Sequence, residues 1–140
     1  MSDELYMQLD VVTPEKSVLS RKVSEVIAPG SAGEFGVLFG HTPFLTTLKP
    51  GQVVAKTEDR DIFMAVGGGF AEVIADRVII LAETATLAED IDEKQVKEDL
   101  DQAQSKIRGL SKDDPELPKW EAKVREAELK LKVVENWRAR

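Results

Sequence analysis

The sequence predicts an all-β sandwich over residues 1–88 followed by an antiparallel αα-hairpin over residues 89–140. Three observations carry this. Apolar residues alternate at period two before Ala88, turn-forming residues interrupt them every few positions, and beyond Ala88 the apolar spacing changes to steps of three and four.

The strand part opens with "LYMQLDV", in which Leu5, Met7, Leu9 and Val11 share one face. "KVSEVIAP", "GQVVAK" and "DIFMAVGGGFAEVIADRVIILAE" follow as short runs rich in Val, Ile and Phe. Turns are expected at Thr13-Pro14, Pro29-Gly30, Pro50-Gly51 and Ala75-Asp76-Arg77. Many short strands, each with one apolar face to bury, imply a sandwich or flattened barrel. The triplet Gly67-Gly68-Gly69 lacks the Lys-Ser/Thr and the helix that a phosphate loop requires, so it reads as a bend between strands.

In the helical part Val96, Leu100, Ala103, Ile107 and Leu110 form one seam. Asp92 and Gln95 have capping-box spacing, and Gly109 suits the helix end. "SKDDPELP" is the break, with Asp114 predicted as the next cap and Pro115 at the first helical position. The second seam is Leu117, Trp120, Val124, Ala127, Leu131 and Val134, while Val133 and Trp137 fall beside or beyond it. Glu121–Arg125, Glu126–Lys130 and Glu128–Lys132 stand four apart in the favourable order. Such a hairpin shares one narrow interface and is marginal alone, so it must dock on something or stay loosely held. A weakly held appendage with apolar surface to spare can change partner, which is one way to build a switch.

Composition narrows the function. The chain has 140 residues and a net charge of −7, which argues against nucleic acid as a partner. No apolar run reaches the roughly 18 residues of a membrane span, and no signal segment opens the chain, so direct membrane insertion is not expected and the cytosol is the default compartment. The absence of cysteine excludes disulfides and thiol catalysis, and a single histidine excludes a multi-histidine metal site within one chain. Residues 89–118 carry five basic and ten acidic side chains, a net −5; residues 119–140 carry seven basic and four acidic, a net +3. This asymmetry either pairs the two arms or equips Lys123, Arg125, Lys130, Lys132 and Arg138 to reach an acidic partner.

A search for chemistry finds no active site. His41 has no cysteine or serine partner in a catalytic motif, and Glu34 is seven residues away, so the ring reads as structural or as a contact. The acidic runs 58–61 and 88–93 lack calcium-loop spacing. No enzyme activity, metal or cofactor is expected.

The stretch "GEFGVLFGHTPFL", the "LKPG" turn, "VGGGFAEV" with "VIILAETA", and "DIDEKQV" opening a hairpin together resemble the epsilon subunit of bacterial F-type ATP synthase. The resemblance spans essentially the whole chain. Its glycine–histidine motif is met at Gly33, Glu34, Phe35, Gly36, Val37, Leu38, Gly40, His41, Pro43, Phe44 and Leu45; Phe39 stands where proline is usual. The resemblance implies a ten-stranded sandwich and a non-catalytic place in the central rotor stalk. It implies gamma-subunit and c-ring contacts, with Glu34, Phe35, Gly36 and His41 on the rotor-facing loop. It also implies a hairpin that moves from a compact form to an extended one, reaching the alpha and beta subunits and restraining ATP hydrolysis. The implied location is peripheral, on the cytoplasmic face of the bacterial plasma membrane. Some members bind ATP through Ile/Leu-Asp-x-x-Arg-Ala; Ile91 and Asp92 match, but Gln95 and Val96 replace the arginine and alanine. Losing a fixed cation weakens that site. The alternative reading is a free adaptor, unrelated to a rotor, whose sandwich and hairpin bind separate partners.

Overall fold

The computed structural model describes residues 6–140. Ten strands come first: β1 (Met7–Val12), β2 (Ser17–Val23), β3 (Glu25–Gly30), β4 (Gly33–Leu38), β5 (Phe44–Leu48), β6 (Gly51–Lys56), β7 (Asp61–Val66), β8 (Gly69–Ile74), β9 (Arg77–Ala82) and β10 (Ala85–Leu87). A 3₁₀ turn, Ala88–Asp90, leads into helices α1 (Glu93–Arg108) and α2 (Leu117–Ala139).

The strands form two five-stranded halves, β10-β7-β6-β3-β4 and β5-β8-β9-β1-β2. They join where Gly30 of β3 pairs with Leu48 of β5. All pairings are antiparallel except β1 with β9. The alternation fixes what lies between the halves. Met7, Leu9 and Val11 of β1 are buried there with Val53 and Ala55 of β6, Ile62, Met64 and Val66 of β7, and Val78 and Ile80 of β9. Leu5, expected on the same face as Met7, lies outside the described residues. An ion pair of 2.8 Å between Arg21 of β2 and Asp59, in the turn after β6, ties the two halves at the rim. The Arg21 guanidinium, with help from the Thr57 hydroxyl, holds the Asp59 carboxyl below its usual pKa.

Turn chemistry mostly falls as expected. Thr13 and Lys16 close the β1–β2 turn through Thr13 N–H to Lys16 O, 2.9 Å. Pro29-Gly30 does not form the turn itself; it ends β3, and the chain reverses at Ser31-Ala32 so that Gly30 pairs with Gly33. The glycine triplet is a bend rather than an anion cradle. Gly68 and Gly69 have φ of 110° and 143°, and a Cβ on Gly69 would sit 2.0 Å from the Leu81 carbonyl oxygen.

The helix ends need two corrections. Asp92 caps α1, its carboxylate accepting from Gln95 N–H at 3.1 Å, but the box stays half-formed because the Gln95 amide donates to Asp99 instead, 2.9 Å. Helix α2 begins at Leu117, later than Pro115, with Pro118 in its first turn and Glu116 at the cap. The Asp114 carboxylate accepts from Glu116 N–H at 2.9 Å, which makes a separate turn before the helix.

The hairpin seam buries Val96 and Ala103 of α1 against Ala127 and Val134 of α2. Helix α2 is also buried on a second side. Val133 is fully enclosed with Ala65 of β7 and Ala88, flanked by Phe63, Ile91, Leu129 and Trp137. Helix α2 is therefore the middle layer between α1 and the outer face of β6–β7.

Ala75, in the β8–β9 turn, has φ +53°, a left-handed backbone that costs a non-glycine residue roughly 1–2 kcal/mol. Ala75→Gly should raise stability by about 0.5–1 kcal/mol after the extra chain entropy of glycine. Urea unfolding checks it: the midpoint rises and the slope stays constant.

Candidate functional site

Two surfaces and a docking contact carry the groups singled out from sequence. The first surface is the β4–β5 end of the sandwich. Glu34 is exposed on β4, opposite Pro29 of β3, and no side chain among the described residues pairs with its carboxylate. Gly36 is exposed across from Ile27, where a side chain would come within 3.5 Å of Glu25. Phe35 is half-buried and packs on the core, so it braces the loop instead of presenting itself. Its ring meets Phe44 edge-on at 5.1 Å, and His41 meets Phe44 edge-on at 5.9 Å. His41 Nδ1 lies 2.7 Å from the Thr42 carbonyl oxygen, which fixes the ring as its N–H donor. Gly40, with φ 86°, and the bond from His41 N–H to Leu38 O, 3.0 Å, turn the chain there. Leu38, Phe39 and Leu45 are left exposed around this turn. The arrangement presents one carboxylate and several apolar side chains on an aromatic brace.

The second surface was not legible in the sequence. On β5, β8 and β9 the outward residues include Leu45, Phe70, Ile74 and Leu81, all exposed. The only signal was that "GFAEVI" and "RVIILA" are apolar in both phases of the alternation.

The docking contact is confined to the C-terminal half of α2. There Leu129, Val133 and Trp137 meet Phe63 and Ala65, and the Asn136 side-chain amide donates to the side-chain amide oxygen of Gln52 on β6 at 2.9 Å. Farther toward its N-terminus α2 leaves the sheet, and a cleft of about 510 Å³ opens between Arg125, Lys130 and Leu129 on the helix and Lys49, Glu83 and Thr84 on the sandwich.

The basic arm is not one stripe. Lys123 and Lys130, a heptad apart, lie on the α1 side, and Arg125 and Lys132 lie on another face. Lys123 sits 5.3 Å from the Trp120 ring, Lys130 pairs with Glu126 at 3.1 Å, and Arg138 pairs with Glu93 of α1 at 2.7 Å. Lys132 is exposed. The Glu121–Arg125 and Glu128–Lys132 pairs do not close, as exposed pairs gain little. Ile91 is half-buried in the docking contact and Asp92 is the α1 cap, so the two positions matched to a nucleotide motif both have structural partners.

Comparison with known proteins agrees with this geometry. A family model described as the β-sandwich domain of the ATP synthase delta/epsilon chain matches residues 6–88. The ATP synthase epsilon chain of Anaeromyxobacter sp. (strain Fw109-5) is 42% identical over 127 residues, covering 91% of this chain and 96% of the relative. The chain belongs to the ATP synthase epsilon-chain family. Another member, from Geobacter metallireducens, is 40% identical with 91% and 92% coverage. A chain in the cryo-EM structure of the Euglena gracilis mitochondrial ATP synthase, OSCP/F1/c-ring, superposes with TM-score 0.67 at 25% identity, covering 96% of this chain and 81% of that one. A chain from the Tetrahymena thermophila mitochondrial ATP synthase central stalk/c-ring shares the fold, with TM-score 0.55 at 20% identity and coverage of 91% and 96%.

Val133 is the keystone of the docking contact. Burying a valine side chain is worth about 1.5–3 kcal/mol, and an aspartate there would add an unpaired buried charge. Val133→Asp, in a Trp120→Phe background that leaves Trp137 as the sole tryptophan, should undock α2. Trp137 emission should move to longer wavelength with most helical circular dichroism retained; emission unchanged from the background would refute the docking role.

Proposed function

We infer that this epsilon-family chain is a non-catalytic stalk subunit of an ATP synthase. Its sandwich sits on the rotor, against the gamma subunit and the c-ring, and its hairpin restrains ATP hydrolysis. The observation that carries the reading is the match to epsilon chains over 91% of the sequence, hairpin included. The named solved complexes are c-ring and central-stalk assemblies.

The geometry supplies the physical means. The β4–β5 end offers Glu34 to polar partner loops from a turn whose rings are already packed, so little side-chain entropy is lost on contact. The contact between hairpin and sandwich centres on three buried residues, Val133 with Ala65 and Ala88, against eighteen in the sandwich core, so the hairpin can leave while the core stays folded. Undocking frees Leu129, Val133 and Trp137 together with Arg125 and Lys130, an apolar strip beside basic groups suited to the alpha and beta subunits. No helix among the described residues is long and apolar enough to cross a membrane. The epsilon-chain match supports attachment through partner subunits, peripherally, at the cytoplasmic face of a bacterial plasma membrane. His41, held by Thr42 and Phe44, serves as brace rather than base.

The test is reassembly of the complex with the full chain and with residues 89–140 removed. ATP hydrolysis should rise severalfold on removal while the shortened chain still joins the rotor. An equal rate in both would sink the restraint, and failure of either form to assemble would sink the stalk assignment. Glu34→Lys should lower proton pumping per ATP without changing the thermal midpoint of the isolated chain.

A further inference from the structure

Helix α2 lies on the sandwich along one face, and that face is shut at one end and open at the other. Counted back from Trp137 it runs through Val133, Leu129, Arg125 and Ala122, at steps of four and three. Its C-terminal part is closed on Ala65 and Phe63. Its N-terminal part stands off, and the space beneath is the cleft of about 510 Å³.

The sandwich wall of the cleft is fixed. Glu83 N–H donates to Gly68 O and Gly67 N–H donates to Thr84 O, both at 2.9 Å. Thr84 lies so close to Gly67 that a side chain there would strike its hydroxyl. Lys49 and Pro50, in the turn between β5 and β6, belong to the same wall. The helix wall carries Ala122, Arg125, Glu126, Leu129 and Lys130. It is tied down beyond Leu129 by the Val133 contact. Much of the lining is apolar, with Pro50, Val66, Ala122 and Leu129 in it.

The charges on the two walls are not all matched. Lys130 is paired with Glu126 at 3.1 Å within the helix. Arg125 is exposed and has no partner among the described residues, although Glu121 stands one turn before it. Glu83, exposed on the opposite wall, has none either, and Lys49 on its own wall is likewise unpaired. A free cation and a free carboxylate thus stand on opposite sides of one apolar gap.

We propose that the cleft is a jaw: the hairpin pivots about the Val133 contact into a second docked position, where Arg125 pairs with Glu83 and Ala122 meets Pro50. Closing removes the apolar lining from water, which drives the movement. The expelled water no longer screens the ion pair, so the pair is stronger in the closed cleft than it would be on an open surface. The planar guanidinium meets both carboxylate oxygens, and Lys49 repels it from the rest of the wall, so the closed position has one register. Arg125 then has two uses. Paired with Glu83 it holds the hairpin down, and released it joins the basic groups offered to the alpha and beta subunits. Glu83 therefore competes with those subunits for Arg125 and sets how readily the restraint on ATP hydrolysis engages; this last consequence rests on the stalk reading.

The chain has no cysteine, so two introduced cysteines report closure without background. A disulfide forms only where the Cα atoms approach within about 7 Å. The full-length chain with Pro50→Cys and Ala122→Cys is mildly oxidised and disulfide formation timed, with thermal unfolding confirming that each variant folds. Gln52→Cys with Asn136→Cys, at the shut end of the face, is the reference. Both pairs should cross-link. Adding Glu83→Lys should slow the jaw pair about 10-fold, and adding Arg125→Glu to that variant should restore it, because the charges are exchanged and not lost. A jaw pair that stays reduced while the reference cross-links overturns closure. One rate in all charge variants overturns the latch, and failure of both pairs overturns the docking contact itself. None of these outcomes depends on the ATP synthase. In the reassembled complex Glu83→Gln should lower ATP hydrolysis severalfold; an unchanged rate beside a charge-sensitive jaw overturns the competition for Arg125 alone.

Discussion

Every strand of a two-layer sandwich has one side committed to the core, and this commitment governs the rest of the molecule. The inner sides are filled by Met7, Leu9, Val11, Met64, Val78, Ile80 and their neighbours. What remains on the outer sides must be polar, covered, or available to a partner. Helix α2 covers one outer face and needs apolar residues on two of its own sides to do so. Ala127 and Val134 serve α1, and Val133 and Trp137 serve the sheet.

The size of that second contact sets its role. Small residues at Ala65 and Ala88 let Val133 approach closely, and one polar bond, Asn136 to Gln52, gives direction. Nothing in the contact shares a fully buried residue with the sandwich core. Separation would therefore expose a few side chains and leave the core closed, the physical condition for an appendage that changes partner without unfolding its host. The ion pair between Arg138 and Glu93 lies within the hairpin, so it can persist after undocking.

The β4–β5 end works by the opposite logic. Its backbone is permitted by glycine at positive φ and then braced by rings that meet edge to face, Phe35 with Phe44 and Phe44 with His41. A contact surface that is already ordered loses little on binding. The molecule thus combines a braced end, an exposed apolar face and a helical layer docked by a small contact.

Local periodicity was enough to divide strands from helices near Ala88, to name the inner face of β1 and the seam of α1, and to place Asp92 as a cap, because each depends on neighbours within a few residues. The motif from Gly33 to Leu45 likewise announced the turned loop and, by resemblance, the family. Asp114 misled by the same local logic, since its side chain satisfied a nearer N–H and the helix began later. Only the tertiary structure decided that Val133 and Trp137 face the sheet and that Glu72 stands alone among apolar residues. Alternation tells a residue inside from outside, but it carries no information about which outside face another element will cover. That choice is made by contacts between segments far apart in the chain, such as Asn136 with Gln52.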